Sequence, residues 1–516
     1  YFTGFFVIIL KMKKAVKFDS IKKTELYKLY LRGLRTIERL EAKIYAQQEE
    51  IAKQAAELEK KNFQLVQRNK IIFGKKREKN PLADTNVANE AETIIASSKK
   101  EVTKKNDKKS FTKEYLEEHH TDELVLTPEE IETIPDLIHF GDDITYKIEY
   151  TPAKRKIIKI INKKYIDKKS GKIYQRIKED PFPNSYCTPS FASESINNKF
   201  VLGIPYYRQE NYLVEDGISI SRQNLSNYQL KASEIVKPMY ELLKEKLLET
   251  SFHIIHADET TLRVINVPKA KCYIWLFNSC FYDKPIFIYL FNKTRSADVP
   301  KELLKNYQGY LISDCYSGYN EIPDVVNSYC WAHARRKFIE IIDNLTDELK
   351  KESISVKIVN EIDNMFYLDK KYREEQYTAS EIKEMRNSGE FKKSLDKVLD
   401  LLHSADPEPK SPFEAAVEYI TKREDSFLEI LNDGHLELSN NSAERGIKPF
   451  VMARKNFLFS LSEEGADSSM ILFSILQTAI ANARDPKQYL EYLLKHIKKN
   501  TTKEELEYLL PWNIQF

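Results

Sequence analysis

The sequence lacks a cysteine framework, a long apolar run and an excess of charge of one sign. Its five cysteines are odd in number and include no Cys-x-x-Cys pair, which excludes a disulfide framework and a four-cysteine zinc site and favours a reducing cytoplasm. No run approaches the roughly 18 apolar residues that a membrane span needs, so we expect a soluble protein with no membrane partner. The 81 Lys and Arg nearly balance 78 Asp and Glu. Any interaction with a polyanion must therefore depend on local charge.

The chain is too long for a single hydrophobic core. Single cores stop growing near about 250 to 300 residues, so 516 residues predict several structural units. The chain opens with an apolar stretch, but lysines follow it instead of preceding it, which is the reverse of a secretory signal. We treat residues 1–22 as an uncertain N-terminal segment and expect a cytoplasmic protein.

A repeat of apolar residues at every seventh position predicts a coiled coil within residues 23–79. Four of the six residues at the other seam positions of the heptad are polar, which favours a small oligomer, so we expect self-association as a dimer or higher oligomer. A long helix packed on its own chain is the alternative. Residues 80–135 are rich in polar residues without periodicity and predict a mobile linker. The repeat consists of Ile37, Ile44, Ile51, Leu58, Leu65 and Ile72.

Residues 136–195 predict a basic β module. Apolar and basic residues alternate over Ile144–Ile177, around a turn at Asp167–Gly171, as in a twisted hairpin. Eleven Lys and Arg lie within Lys154–Lys178. They are explained equally well by a solvated strand face or by contacts with the phosphates of DNA.

Residues 196–248 have the pattern of a helix-turn-helix. Two short helices are expected around Gly217, with Ser219 capping the second. The exposed face of the second helix would present amide and guanidinium groups suited to base edges in a DNA groove, although many helical hairpins share this pattern. The groups on this face are Arg222, Gln223, Asn224 and Asn227.

The remainder predicts a divided α/β core. Strand patterns alternate with a helix in residues 249–344, which favours a mixed sheet. Residues 345–432 have a charged helical pattern and predict an insertion, residues 433–498 complete the core, and residues 499–516 form a C-terminal tail. The overall fold class is therefore multidomain α+β.

Three carboxylates in this core could bind divalent cations. Asp258 and Asp314 each follow an apolar strand-like run, and Glu444 lies in the first turn of a helix that Asn440 and Asn441 can cap. Such oxygen ligands suit two Mg²⁺ ions, which Mn²⁺ could replace, in a site for phosphodiester chemistry. By spacing alone the triple has low specificity, because a strand-end Asp is more often a turn cap.

Several longer motifs resemble those of transposases of the insertion-sequence 66 (IS66) family. They follow the family order and extend over nearly the whole chain, from the coiled coil to the last residues. The motifs are His256–Thr260, Ser313–Asn320, Cys330–Phe338 and Ser439–Arg445, with further matches at Pro205–Glu210, Ala453–Ser460, Glu464–Ala466 and Leu509–Asn513.

The resemblance implies an RNase H-like catalytic core of the DDE type, interrupted by an insertion before the last acid. By motif, Asp258, Asp314 and Glu444 match the catalytic and metal-binding carboxylates. The implied activity is metal-dependent cleavage of DNA at element ends and strand transfer into target DNA. The implied partners are double-stranded DNA, a second copy of the chain and small companion proteins of the element, at the nucleoid. A rival interpretation is a DNA-binding, oligomerising protein derived from a transposase but without catalysis.

A family zinc motif is absent from the expected place. Residues 136–200 hold only Cys187 and His139 as sulfur or imidazole ligands, whereas a structural zinc site needs four, so zinc is not expected. The pair Cys330 and His333 also lacks a neighbouring partner pair.

Other residues near the carboxylates have candidate supporting roles. His256 shares a strand face with Asp258, Glu259 would point away from it, and His333 could lie near the metals or the scissile phosphate. Basic residues on the same elements are candidates for DNA contact, with simple solvation as the alternative. They are Arg335, Arg336, Lys337, Arg445, Lys448, Arg454 and Lys455.

Overall fold

A computed structural model describes residues 155–166, 168, 173–175, 180–268, 271–345 and 347–514. The predicted coiled coil at residues 23–79 and the linker at 80–135 lie outside these residues, as does the segment 1–22. Within the described part of the chain, no helix is long and apolar enough to cross a membrane.

The basic module contains the predicted hairpin. Strand β1 (Lys164–Ile166) pairs antiparallel with β2 (Ile173–Gln175), with Tyr165 opposite Tyr174. The side chains of β1 are exposed. Their exposure is compatible with both explanations of the basic residues, a solvated strand face or contacts with the phosphates of DNA.

Three helices follow the hairpin: α1 (Pro189–Phe200), α2 (Tyr206–Glu215) and α3 (Arg222–Leu248). The prediction that Ser219 caps the last of them is wrong, because the Ser221 hydroxyl accepts the N–H of Asn224 at 3.3 Å. The helix is also long, at 27 residues, since its apolar positions continue far beyond Asn227 and are buried in the core. Gly217, with φ of +75°, makes the turn before it.

A mixed five-stranded sheet forms the centre of the protein, in the order β5-β4-β3-β6-β7. Strand β4 is antiparallel to its neighbours β3 and β5, whereas β3, β6 and β7 are parallel. Helix α4 (Asp298–Leu303) connects β5 to β6. The strands are β3 (Ile254–Leu262), β4 (Cys272–Ser279), β5 (Phe287–Asn292), β6 (Gly309–Ser313) and β7 (Val325–Tyr329).

The described residues of the insertion form helices and connecting loops without a strand, and they have a hydrophobic core separate from that of the sheet. Helix α5 (Trp331–Ile342) leads into it from β7, and the Trp331 ring packs 5.1 Å from the ring of Phe427. The further helices are α6 (Asp347–Glu352), α7 (Ile354–Glu374), α8 (Ala379–Asn387), α9 (Gly389–His403), α10 (Pro412–Thr421) and α11 (Glu424–Leu428).

Four helices complete the fold: α12 (Asn441–Phe457), α13 (Glu463–Ala481), α14 (Pro486–His496) and α15 (Lys503–Tyr508). Helix α13 covers the edge strand β5. The Ser474 hydroxyl accepts the N–H of Tyr289 at 2.8 Å, and the Thr478 hydroxyl accepts that of Phe287 at 3.0 Å. These bonds satisfy donors that an edge strand otherwise leaves open.

Candidate active site

Asp258 lies in the middle of β3, not at its end as predicted. The strand continues because Thr260 and Thr261 are β-branched residues that pair with β4. Burial raises the pKa of Asp258 to about 8, and the negative charges of Glu259, Glu444 and Asp314 add to this effect. The carboxylates of Asp314 and Glu444 therefore lie close enough to Asp258 to disfavour its ionised form.

Asp314 follows β6 directly, as predicted. Strands β3 and β6 are parallel, with His256 opposite Ile312. Two residues further along each chain, this alignment brings Asp258 and Asp314 to the same level of the sheet. One Asp314 carboxylate oxygen accepts the N–H of Tyr316 at 3.0 Å, which fixes the turn into the short 3₁₀ helix Ser317–Tyr319.

Glu444 lies in the first turn of α12, as predicted. Asn440 occupies the N-cap position, but its side chain makes no capping hydrogen bond. Its amide instead donates to the carbonyl oxygen of Ala257 at 2.7 Å, and its amide oxygen lies 3.1 Å from Nδ1 of His256. In addition, the Asn278 amide of β4 donates to the Ser442 hydroxyl at 2.8 Å. Polar contacts with two strands thus fix the helix that carries Glu444.

Glycine at position 446 lets this helix approach the sheet closely. A Cβ atom at Gly446 would lie 2.7 Å from atoms of Leu276 and Phe287. The hydroxyl of Tyr289 donates to the Gly446 carbonyl oxygen in the same contact. A side chain at this position would therefore push Glu444 away from the strands.

His256 and Glu259 contact partners that the sequence did not identify. Nε2 of the fully buried His256 lies 2.7 Å from Oε2 of Glu437, a contact that is an ion pair when the imidazole is protonated. Glu259 accepts the Tyr319 hydroxyl at 2.7 Å and forms an ion pair with Arg295. Burial and the charge of Asp314 raise the pKa of Glu259.

Arg295 is a further basic residue close to the carboxylates. Its guanidinium lies 3.8 Å from the centre of the Tyr316 ring and pairs with Glu259, while its side chain remains 38% exposed. Nothing in the sequence marks this arginine, because it precedes α4 in a loop outside the family motifs. Tyr316 and Tyr319 also pack against Trp275, so this part of the site is rigidly supported.

A second set of side chains meets at the start of α5 and α12. Ligand atoms of Cys330, His333 and Glu444 all lie within 4.8 Å of one another, whereas Asp258, Asp314 and Glu444 do not form so compact a group. Nδ1 of His333 is 3.7 Å from Oε1 of Glu444. Burial raises the pKa of the Cys330 thiol to about 12, and the charge of Glu444 contributes to the rise.

Two of the predicted DNA-binding residues are engaged within the protein. Arg335 forms an ion pair with Asp363 of the insertion, with Nη2 at 3.1 Å from Oδ2. Arg454 donates to the Thr260 hydroxyl at 3.1 Å and to the Thr261 carbonyl oxygen. Both arginines connect helices to neighbouring elements, a role within the protein that the sequence does not predict.

The other predicted contacts are spread over three helices. Lys337 lies over the Tyr419 ring at 5.3 Å, and Lys455 is partly buried. The remaining side chains are exposed: Arg222, Asn224 and Asn227 on α3, Arg336 on α5, and Arg445 and Lys448 on α12.

Comparison with known proteins agrees with the motifs. The family model described as "Transposase IS66 family" matches residues 184–468, and the model of the IS66 C-terminal element matches residues 474–512. Two similar proteins come from Sinorhizobium fredii (strain NBRC 101917 / NGR234). The uncharacterized protein y4hP is 27% identical over 407 residues, covering 73% of this chain and 71% of the relative. The uncharacterized protein y4qI is 25% identical over 402 residues, covering 73% and 72%. The chain belongs to the IS66 family of transposases.

Proposed function

We propose that this protein is an active DDE transposase, in which Asp258, Asp314 and Glu444 form the catalytic centre of an RNase H-like core. The observation that carries the proposal is that the buried carboxyl of Asp258 has the carboxylates of Asp314 and Glu444, which come from two other elements, as neighbours. The parallel alignment of β3 and β6 supports the pairing of the two aspartates. The mixed sheet and the helical insertion before Glu444 are compatible with the proposed core.

The residues present fit divalent cations of the Mg²⁺ type, with Mn²⁺ as a substitute. Several carboxylates near one another supply the oxygen ligands that such ions prefer. When bound, two such ions would supply activation of the attacking oxygen and stabilisation of the leaving oxygen in phosphodiester cleavage and strand transfer. Asp258, Asp314 and Glu444 would hold them, and Asn440 fixes Glu444 through its bonds to β3.

Other parts of the chain would bind and pair the DNA. The exposed Arg445 and Lys448 follow Glu444 on α12 and would contact phosphates next to the cleaved bond. The helix-turn-helix module, through the exposed start of α3, and the separate basic hairpin would recognise the element ends. The predicted coiled coil would pair two copies of the protein at the nucleoid, together with companion proteins of the element.

The test is strand cleavage of a labelled DNA duplex that carries the element's own end, with Mg²⁺ or Mn²⁺. We expect end-specific cutting by the wild type and loss of cutting in Asp258→Asn and Glu444→Gln, with DNA binding retained. Asp406→Asn is the matched control, since Asp406 is an exposed carboxylate in the insertion. Equal behaviour of wild type and both site variants, with DNA binding intact, would contradict the proposal and support the non-catalytic DNA-binding alternative.

A further inference from the structure

Cys330, His333 and Glu444 come from two elements that the fold brings together. Cys330 precedes α5 and His333 lies in its first turn, whereas Glu444 lies in the first turn of α12, beyond the insertion. Within the described residues, this is the one group of three or more His, Cys, Asp or Glu side chains compact enough to hold a metal ion. From the sequence, the Cys330 and His333 pair has no partner, and the fold supplies the third member.

Two atoms of this group are buried without a hydrogen-bond partner in the described part of the protein. They are Nδ1 of His333 and Oε1 of Glu444, which are 3.7 Å apart. This distance is too long for a hydrogen bond between them. Two ligands of a tetrahedral metal, each about 2.1 Å from the ion, are separated by about 3.4 Å. The observed spacing is therefore close to that of two atoms bound to the same metal ion.

The third ligand atom is the sulfur of Cys330, which a bound metal would hold as a thiolate against the effect of burial. Sγ of the buried Cys330 accepts the backbone N–H of Asn440 at 3.1 Å. A backbone N–H aimed at sulfur stabilises a thiolate, which is the form that binds metals. On metal binding the thiol proton would pass to solvent, and the imidazole would bind in its neutral form.

We propose that Cys330, His333 and Glu444 form a binding site for a borderline-soft divalent transition metal, of which Zn²⁺ is the type. Thiolate and imidazole ligands select such ions over Mg²⁺, which prefers oxygen. Three protein ligands leave a fourth position open to water or to another ligand. This site differs in chemistry from the carboxylate centre and has Glu444 in common with it.

Sharing of Glu444 would make the second site inhibitory, an inference that rests on the proposed function. An ion held by Cys330 and His333 would engage Glu444 and withdraw it from the cations at Asp258 and Asp314. Zn²⁺ would then reduce Mg²⁺-dependent cleavage. Binding of the metal itself does not depend on whether the protein cleaves DNA.

The binding test uses the full-length protein, stripped of metal and titrated with Co²⁺, which gives a thiolate-to-cobalt charge-transfer band only where sulfur is a ligand. We expect one Co²⁺ per chain with this band, and its displacement by one equivalent of Zn²⁺. Cys330→Ser should lose the band, and His333→Ala and Glu444→Gln should each bind Co²⁺ at least about tenfold more weakly. Cys315→Ser is the control, since Cys315 is the only one of the five cysteines that is not buried.

Each variant is also checked by circular dichroism, so that loss of the band can be separated from unfolding. Absence of the band in the folded wild type, or its persistence in Cys330→Ser, would overturn the proposal. A cobalt spectrum that behaves as expected in a protein that never cuts DNA would leave the metal site standing and contradict only the proposed function. Cleavage of DNA without any cobalt band would support the proposed function and contradict the metal site.

Discussion

A buried ion cluster in the insertion should control the stability of the segment that leads to Glu444. The side chain of Arg386 is fully buried, and its Nη2 lies 2.6 Å from Oδ1 of Asp369. Its guanidinium also donates to the carbonyl oxygens of Ile430, Asp433 and Leu436 at 2.8, 3.1 and 2.7 Å. Arg386, together with Arg373, thus fixes the chain shortly before Glu437.

Substitution of this arginine removes several buried bonds at once. Arg386→Met keeps much of the side-chain volume but removes the arginine donors from the Ile430 carbonyl oxygen and from part of the Asp369 carboxylate. The carbonyl oxygens of Leu436 and Asp433 keep their bonds to Arg373 and to the N–H of Leu436. Removal of one partner from a buried ion pair costs about 3 to 5 kcal/mol. Arg373 still contacts Asp369 at 2.9 Å. We therefore expect a loss near the lower limit, about 3 kcal/mol.

The assay is hydrogen exchange of the backbone amides in residues 430–436, combined with urea unfolding of the full chain. Arg386→Met should accelerate exchange of this segment and lower the urea midpoint. Lys397→Met is the matched control, because Lys397 forms an exposed ion pair with Glu361 at 3.1 Å. Exposed pairs contribute at most about 1 kcal/mol. If the two variants lost equal stability, the cluster would not hold this segment as the structure indicates.

Three further predictions concern the site itself. The pKa of Asp258 is raised to about 8, so ionisation of this carboxyl opposes folding. The metal-free protein should therefore lose stability as the pH rises from about 4 to 8. Asp258→Asn should flatten this part of a Tm-against-pH curve. Gly446→Ala should lower stability by about 1 to 3 kcal/mol in urea unfolding, because the added Cβ would lie 2.7 Å from neighbouring side chains, and an unchanged midpoint would argue against the close contact. Asn440→Leu should reduce Mg²⁺-dependent cleavage by about tenfold or more, since it removes the bonds to His256 and Ala257 that fix Glu444. DNA binding in a mobility-shift assay should stay unchanged. Parallel losses of cleavage and DNA binding would indicate general unfolding instead.

Local patterns in the sequence predicted the elements of the core better than their ends. The mixed sheet, the helical insertion and the position of Glu444 in a first helical turn follow from patterns over a few residues, and the structure has them. The sequence places Asp258 at the end of a strand, whereas β3 continues past it, because the strand pattern changes from apolar to β-branched polar residues without ending. Similarly, Ser219 and Ser221 are both good caps, and only packing of the helix decides between them.

The contacts of the site could not be predicted in the same way. Glu437 meets His256, and Glu444 meets His333, only because the chain returns to the sheet after the insertion. Arg295 and Arg335 have partners far away in sequence, and no local pattern distinguishes an arginine that pairs within the protein from one that binds DNA. The predicted roles of Asp258, Asp314 and Glu444 came from the family motifs and stay predictions.

The cover over β5 has a consequence for synthesis of the chain on the ribosome. Strands β3 to β5 are complete at Asn292, but the hydroxyl that accepts the N–H of Tyr289 belongs to Ser474, which is 474 − 292 = 182 residues later. At about 5 to 20 residues per second, this delay lasts on the order of ten to forty seconds. During that time the β5 edge is open to pairing with a strand of another nascent chain. Chains that terminate before α13 should therefore aggregate, whereas completed chains protect this edge themselves.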